Sequence, residues 1–130
     1  MTVSAEYNTK NLSIWNLAKT AGVVIAPGNE VRFGADNDKF TLADDANTGI
    51  GVASETAISA STARQDINLF GSGAIVKVIG NGTVTAGVLA ISAGNGKFTN
   101  SGATPDARTI RGKFLETSAV DGALVMMLLM

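Results

Sequence analysis

The sequence predicts an all-β fold, a small β-barrel or β-sandwich built from a duplicated β unit, with an extended N-terminal arm. Three observations lead there. Fifteen glycines and only two prolines fall mostly between short stretches rich in Val, Ile, Leu, Phe and Thr, the pattern of short strands joined by tight turns. No stretch sustains a helical period. A set of residues in the first half recurs in the second.

Residues 1–20 read as an arm outside the core, carrying Tyr7 and the only tryptophan, Trp15. Within it, Asn11–Lys19 offers the best helical spacing, with Ile14, Leu17 and Ala18 on one face. Residues 21–130 read as a single β domain with halves at about 21–70 and 74–130. Its expected strands are Val23–Ala26, Glu30–Gly34, Lys39–Leu42, Gly49–Ala53 and Asp66–Phe70, then Ala74–Val78, Leu89–Ser92, Lys97–Thr99, Ile110–Leu115 and Leu124–Leu129. Ala74–Val78 is β-branched and begins after Gly73. Leu124–Leu129 is apolar at every position, so it is expected to be covered on both faces. Asn95-Gly96 and Asn81-Gly82 supply the positive-φ residues that type I′ hairpin turns need. Ala35-Asp36-Asn37-Asp38 fills the same slot with Asx residues.

The repeat organises these elements. Lys39-Phe40-Thr41 returns as Lys97-Phe98-Thr99 at an offset of 58 residues, and Ala35 and Asn37 match Ala93 and Asn95. Further on, Gly51, Glu55 and Thr56 match Gly112, Glu116 and Thr117 at an offset of 61. A three-residue insertion near Thr104-Pro105-Asp106 accounts for the change. A doubled β unit that closes on itself removes vulnerable sheet edges.

Composition restricts function. The chain has 130 residues, enough for one self-sufficient domain that hides roughly two-thirds of its unfolded surface. Charged residues are 16% of it, against about a quarter in an average soluble protein. A surface so short of charge suits a protein partly covered by copies of itself or by a partner. Net charge is −1 with no basic run, so no nucleic-acid footprint is expected. The start of the chain lacks a basic and apolar leader pattern, and no signal peptide is expected. The longest apolar run, Ala123 to Met130, is far below the roughly 20 residues that span a bilayer, so no membrane partner is expected.

Reactive chemistry is scarce. Histidine and cysteine are absent, which removes the usual general base at neutral pH, thiol nucleophiles and zinc ligands. Serine needs a base to activate it, and no Ser-x-x-Lys spacing occurs. Gly96-Lys97 precedes Phe98 where a phosphate loop needs Ser or Thr, and Gly71-Ser72-Gly73 and Gly80-Asn81-Gly82 lack the third glycine of a dinucleotide fingerprint. No enzyme activity and no cofactor are expected. The acidic segment Asp36–Asp45 offers oxygens to a cation, but without the calcium-loop pattern. It reads as a solvated turn, with a weak cation site as the alternative.

Protein contact is left as the chemistry of the surface. An aromatic on a polar arm with no core to join buries in a partner, so Tyr7 and Trp15 are candidate partner-binding residues, with Leu12, Ile14 and Leu17 as the apolar residues beside them on the same arm. Packing onto the chain's own barrel is the competing reading for Tyr7 and Trp15. Arg64, Arg108 and Arg111, beside Asp66 and Asp106, read as local surface pairs or as interface rim. Met126, Met127 and Met130 fill either the chain's own core or a subunit interface.

The order of features resembles the small capsid decoration, or cement, proteins of tailed bacteriophages. A polar arm leads into Ala21-Gly22-Val23-Val24-Ile25-Ala26-Pro27-Gly28-Asn29-Glu30-Val31 and a Lys-Phe strand. Thr48-Gly49-Ile50-Gly51-Val52-Ala53 and Ile67-Asn68-Leu69-Phe70 follow. A second round starts at Gly82-Thr83-Val84-Thr85-Ala86-Gly87-Val88-Leu89 and ends in the apolar C-terminal strand. The likeness covers roughly residues 21–130, while residues 1–20 match no motif. It implies a non-enzymatic protein of the virion, made in the host cytoplasm. Such a protein sits on the outer capsid surface as a homo-oligomer, a trimer favoured, and bridges major capsid protein subunits against internal pressure. It also implies arm contacts at Tyr7, Leu12, Ile14 and Trp15. Another virion component, from the tail or head–tail region, is the alternative, followed by a carbohydrate- or cell-surface-binding β module.

Overall fold

The computed structural model describes residues 14–19, 24–34, 39–43, 49–54 and 64–130. Ten strands run through them: β1 (Ile14–Lys19), β2 (Glu30–Phe33), β3 (Lys39–Leu42), β4 (Gly49–Ala53), β5 (Arg64–Leu69), β6 (Ile75–Ile79), β7 (Leu89–Gly94), β8 (Lys97–Asn100), β9 (Ile110–Phe114) and β10 (Leu124–Leu129). A single 3-10 turn, Ala107–Thr109, precedes β9 and is capped by the Asp106 carboxylate, which accepts from the Arg108 N–H. Among the described residues, Gly28, Gly96 and Gly122 sit in turns at positive φ between strands.

The strands make two sheets of the same design. In the first, β1-β3-β2-β4-β5 pair in sequence and β5 returns to β1, closing a ring. All its pairs are antiparallel except β1 with β3, which run parallel through Ala18–Lys39 and Lys19–Phe40. The second sheet has the order β6-β10-β9-β7-β8. Each strand there has the neighbours of its counterpart five strands earlier. Its edges, β6 and β8, meet at one parallel bridge between Gly80 and Phe98, where the Asn81 N–H donates to the Phe98 carbonyl at 2.7 Å. An all-β barrel built from a duplicated unit is therefore what the chain adopts.

The duplication extends to register. Val31 faces Gly51 and Ala90 faces Gly112, and in each unit the register slips at the next residue. Phe40 and Phe98 are both fully buried. A Cβ on Gly51 would strike the Asn68 carbonyl oxygen, and one on Gly112 the Leu128 carbonyl oxygen, so both positions need glycine for the same close backbone approach. Residues 101–109 join β8 to β9 and residues 43–48 join β3 to β4; the difference is the expected three-residue insertion. In the first hairpin Phe33 faces Phe40, whereas Ser92 faces Phe98. The second turn is one residue shorter, so Phe33 matches Ser92, one position off the offset of 58.

Each unit fills its interior from alternate strand positions. Val31, Phe40, Ala53 and Ile67, with Ile25, form the first core. Val78, Val84, Ala90, Phe98, Phe114, Val125, Met127 and Leu129 form the second, joined by Val52 from the first unit. Burying each of the Val, Ile, Leu, Phe and Met side chains among them contributes about 1.5–3 kcal/mol.

The structure corrects the sequence reading at four places. Residues 14–19 are not part of an arm outside the core and not helical; they are β1, paired with β5 from Ile14–Asn68 to Ala18–Arg64. That pairing spans some fifty residues of sequence and overrides the local spacing. The first unit therefore begins by Ile14 instead of at residue 21. Val24–Ala26 is irregular and leads into a turn at Pro27-Gly28. Asn95-Gly96 has both residues at positive φ, but at Asn81-Gly82 only Gly82 does, and no hairpin forms there. Leu124–Leu129 is covered on one face only.

Backbone of the first unit completes the second. The Ile79 N–H, at the β6 edge, donates to the Gly28 carbonyl at 3.1 Å. The Glu30 N–H donates to the Gly96 carbonyl beside β8 at 2.8 Å, and the Gly96 N–H donates to the Ala43 carbonyl at 2.9 Å. The buried Asn29 side chain pins this segment, accepting from the Ala26 N–H and donating to the Gly96 carbonyl. Gly28 sits at φ +92°, with Leu124 and Ile79 where a Cβ would be.

Candidate interaction surface

Two features stand outside ordinary barrel packing: a buried charge pair at the junction of the units and an uncovered apolar face on the second.

The charge pair is internal. Glu30, at the start of β2, is fully buried, and Arg111 of β9 nearly so. Arg111 Nε donates to Glu30 Oε2 at 3.2 Å, and its Nη1 donates to the Arg108 carbonyl at 3.2 Å. Its guanidinium also lies 5.4 Å from the centre of the Phe70 ring, a cation–π distance. Phe70 in turn meets Phe98 edge to face at 6.2 Å. Burial pushes the Glu30 carboxyl above its ordinary range, against the opposite pulls of the Ser92 hydroxyl and the Arg111 guanidinium. Gly49 leaves room for this carboxylate, because a Cβ there would overlap Oε2. A pair so enclosed fixes the two units together. Arg111, expected at the surface, is thus an internal residue, whereas Arg108 does form the expected surface pair. Its Nη2 lies 2.8 Å from Asp106 Oδ2, and its guanidinium holds that carboxyl below its usual range.

The apolar face lies on the outside of β10. Strand alternation sends Val125, Met127 and Leu129 inward and Leu124, Met126 and Leu128 outward. Met130 continues the outward series. On one side β6 sets Ile75 opposite Leu128 and Lys77 opposite Met126. On the other, β9 sets Lys113 opposite Leu128, and the Leu115 N–H donates to the Met126 carbonyl. Exposure is 57% at Ile75, 51% at Leu124, 37% at Met126, 52% at Met130 and 42% at Leu115. This is a contiguous apolar strip with a lysine on either side. Glu116, just past Leu115, accepts from the Met126 N–H at 2.9 Å. Of Met126, Met127 and Met130, Met127 is core and the other two are at the surface.

The candidate partner residues fall elsewhere. Tyr7 and Leu12 lie outside the described residues. Ile14, Trp15 and Leu17 lie on β1, opposite Asn68, Ile67 and Gln65, in the ring and not on a free arm. The acidic segment Asp36–Asp45 lies largely outside the described residues, and among those described no group of three potential metal-ligating side chains occurs. Among the described residues no helix is long and apolar enough to cross a membrane. The β10 face did carry a sequence signal: an apolar run too long for one-sided burial.

No family model matches the chain, and no curated protein matches it. Among solved structures it is similar to the N base of the head fiber protein gp8.5 of bacteriophage phi29, with a TM-score of 0.66 and 15% sequence identity. The match covers 90% of this chain and 94% of that one. At this identity the likeness is one of fold.

Proposed function

We propose that the chain is a non-enzymatic structural component of a tailed-phage head. One observation carries this reading: near-complete mutual coverage with the base of a phage head fiber, including both units. The low charge content and the uncovered apolar strip on β10 fit a protein that works by adhesion.

The finer reading is decoration, in which copies bind the outer capsid surface, bridge major capsid subunits and stabilise the shell by binding only its assembled form. Assembly as a trimer would let three weak contacts act together, raising avidity by roughly 10²–10⁴-fold. A second reading, the base of a longer head appendage, is favoured by the fiber-base likeness itself. Co-sedimentation of purified protein with phage heads assembled without it separates the two. Saturation in proportion to capsid subunits supports decoration, and saturation at far fewer copies supports an appendage base. Absence of binding to any mature head removes both.

A further inference from the structure

We propose that the outer face of β10, with Ile75 and Lys77 of β6 and Lys113 and Leu115 at its borders, docks a protein partner whose own surface is apolar at the centre and edged by carboxylates. The inference rests on the proposed function only for the probe that tests it.

The duplicated fold supplies an internal control. Gly51 faces Leu69 in the first unit and Gly112 faces Leu129 in the second. By that register Ile67 matches Met127, and both are fully buried. The outward positions of β5 whose side chains are described are then Asp66 and Asn68, matching Met126 and Leu128 of β10. One fold thus tolerates polar residues at the very positions where the second unit carries apolar ones. The barrel does not need the strip, because Val125, Met127 and Leu129 already line the interior. Exposed apolar residues in a contiguous strip mark an interaction surface.

Charge identifies the partner. Lys77 and Lys113 flank the strip on opposite sides, both exposed, and neither forms an ion pair among the described residues. The carboxylate nearest in sequence, Glu116, already accepts from the Met126 N–H. A surface edged with unpaired ammonium groups is complemented by carboxylates. Two copies meeting through this face about a two-fold axis would instead bring their lysines together. Two lysines around a greasy centre are also too few for a phosphate backbone.

The test uses the full chain and phage heads lacking it. Met126→Asp puts a charge in the strip, Lys77→Glu with Lys113→Glu reverses its border, and Ala103→Asp adds charge at an exposed position elsewhere. All four altered side chains are exposed, so unchanged melting curves are expected. Met126→Asp should weaken head binding at least about tenfold, the loss typical of a central interface contact. The double lysine variant should weaken it several-fold at low salt and less at high salt, and Ala103→Asp should bind as wild type does. Wild-type binding that survives Met126→Asp overturns the docking face while leaving the proposed function standing. Loss with Met126→Asp but not with the lysine reversal overturns the carboxylate-edged partner. If the wild-type protein binds no heads, the proposed function falls. Sedimentation velocity then decides the face: self-association lost in Met126→Asp gives it to a second copy, and no association in either protein leaves it without an occupant. Both of those results overturn the inference.

Discussion

Arg111 of β9 reaches Glu30 of β2 across the junction of the two units, Nε to Oε2 at 3.2 Å, with both side chains shut away from solvent. The residues lie 81 positions apart in sequence, and each belongs to a different sheet. Their contact holds the units in register as one body, and it makes the junction sensitive to loss of either partner.

Replacing Arg111 by Met should expose that sensitivity. The substitution keeps the apolar stem but leaves Glu30 buried without its cation. Breaking a buried pair from one side costs about 3–5 kcal/mol. Urea denaturation at neutral pH should show a loss of this size, and the loss should shrink in acid, where Glu30 takes up a proton.

Glu30 also predicts a pH dependence. Its folded carboxyl titrates above the ordinary value of 4.5 because burial disfavours its charge. The folded state therefore holds this proton more tightly than the unfolded state, so raising pH from 4.5 through the raised value removes stability. A Glu30→Gln variant lacks this titration. Comparing the two proteins across acid and neutral pH should show the wild type losing ground to the variant over that window, with a constant difference below it. A constant difference throughout would mean that the carboxyl titrates normally.

Gly51→Ala and Gly112→Ala test the duplication energetically. Each added methyl meets a carbonyl oxygen of the neighbouring strand, and backbone cannot yield as a flexible side chain does. Each should cost roughly 1–3 kcal/mol, the usual range for overpacking, with similar values at the two sites. A large cost at one and none at the other would mean that the matched geometry is not matched in rigidity.

Asn29→Ala should cost about 0.5–1.5 kcal/mol for each of the two hydrogen bonds it removes, those from the Ala26 N–H and to the Gly96 carbonyl; the Gly96 carbonyl keeps the Glu30 N–H. Because Asn29 pins the junction, amide exchange at Ile79, whose N–H meets Gly28, should accelerate in the variant.

Much of the architecture is legible in the residues. Glycine and Asx punctuation locates nine of the ten strands, and the Lys-Phe-Thr recurrence locates the duplication. The strand at Ile14–Lys19 is not legible, because its partners at Arg64–Asn68 are distant and its own spacing imitates a helix. Arg111 misleads for a related reason: nothing near it in sequence announces Glu30. The β10 face is half legible. An apolar run such as Leu124–Leu129 signals cover on both sides, but the run itself cannot say that one side is left for something beyond the fold.

The insertion of Gly28–Glu30 between β6 and β8 also orders events during synthesis. That segment leaves the ribosome well before Ile79 and Gly96 do, so the piece that bonds to both sides of the second sheet is in place when its edges emerge. A nascent chain halted between the units would hold all five strands of the closed first ring and a bare segment awaiting its mates. The late, distant contacts predict slow final folding and a second half that matures against a first already in place.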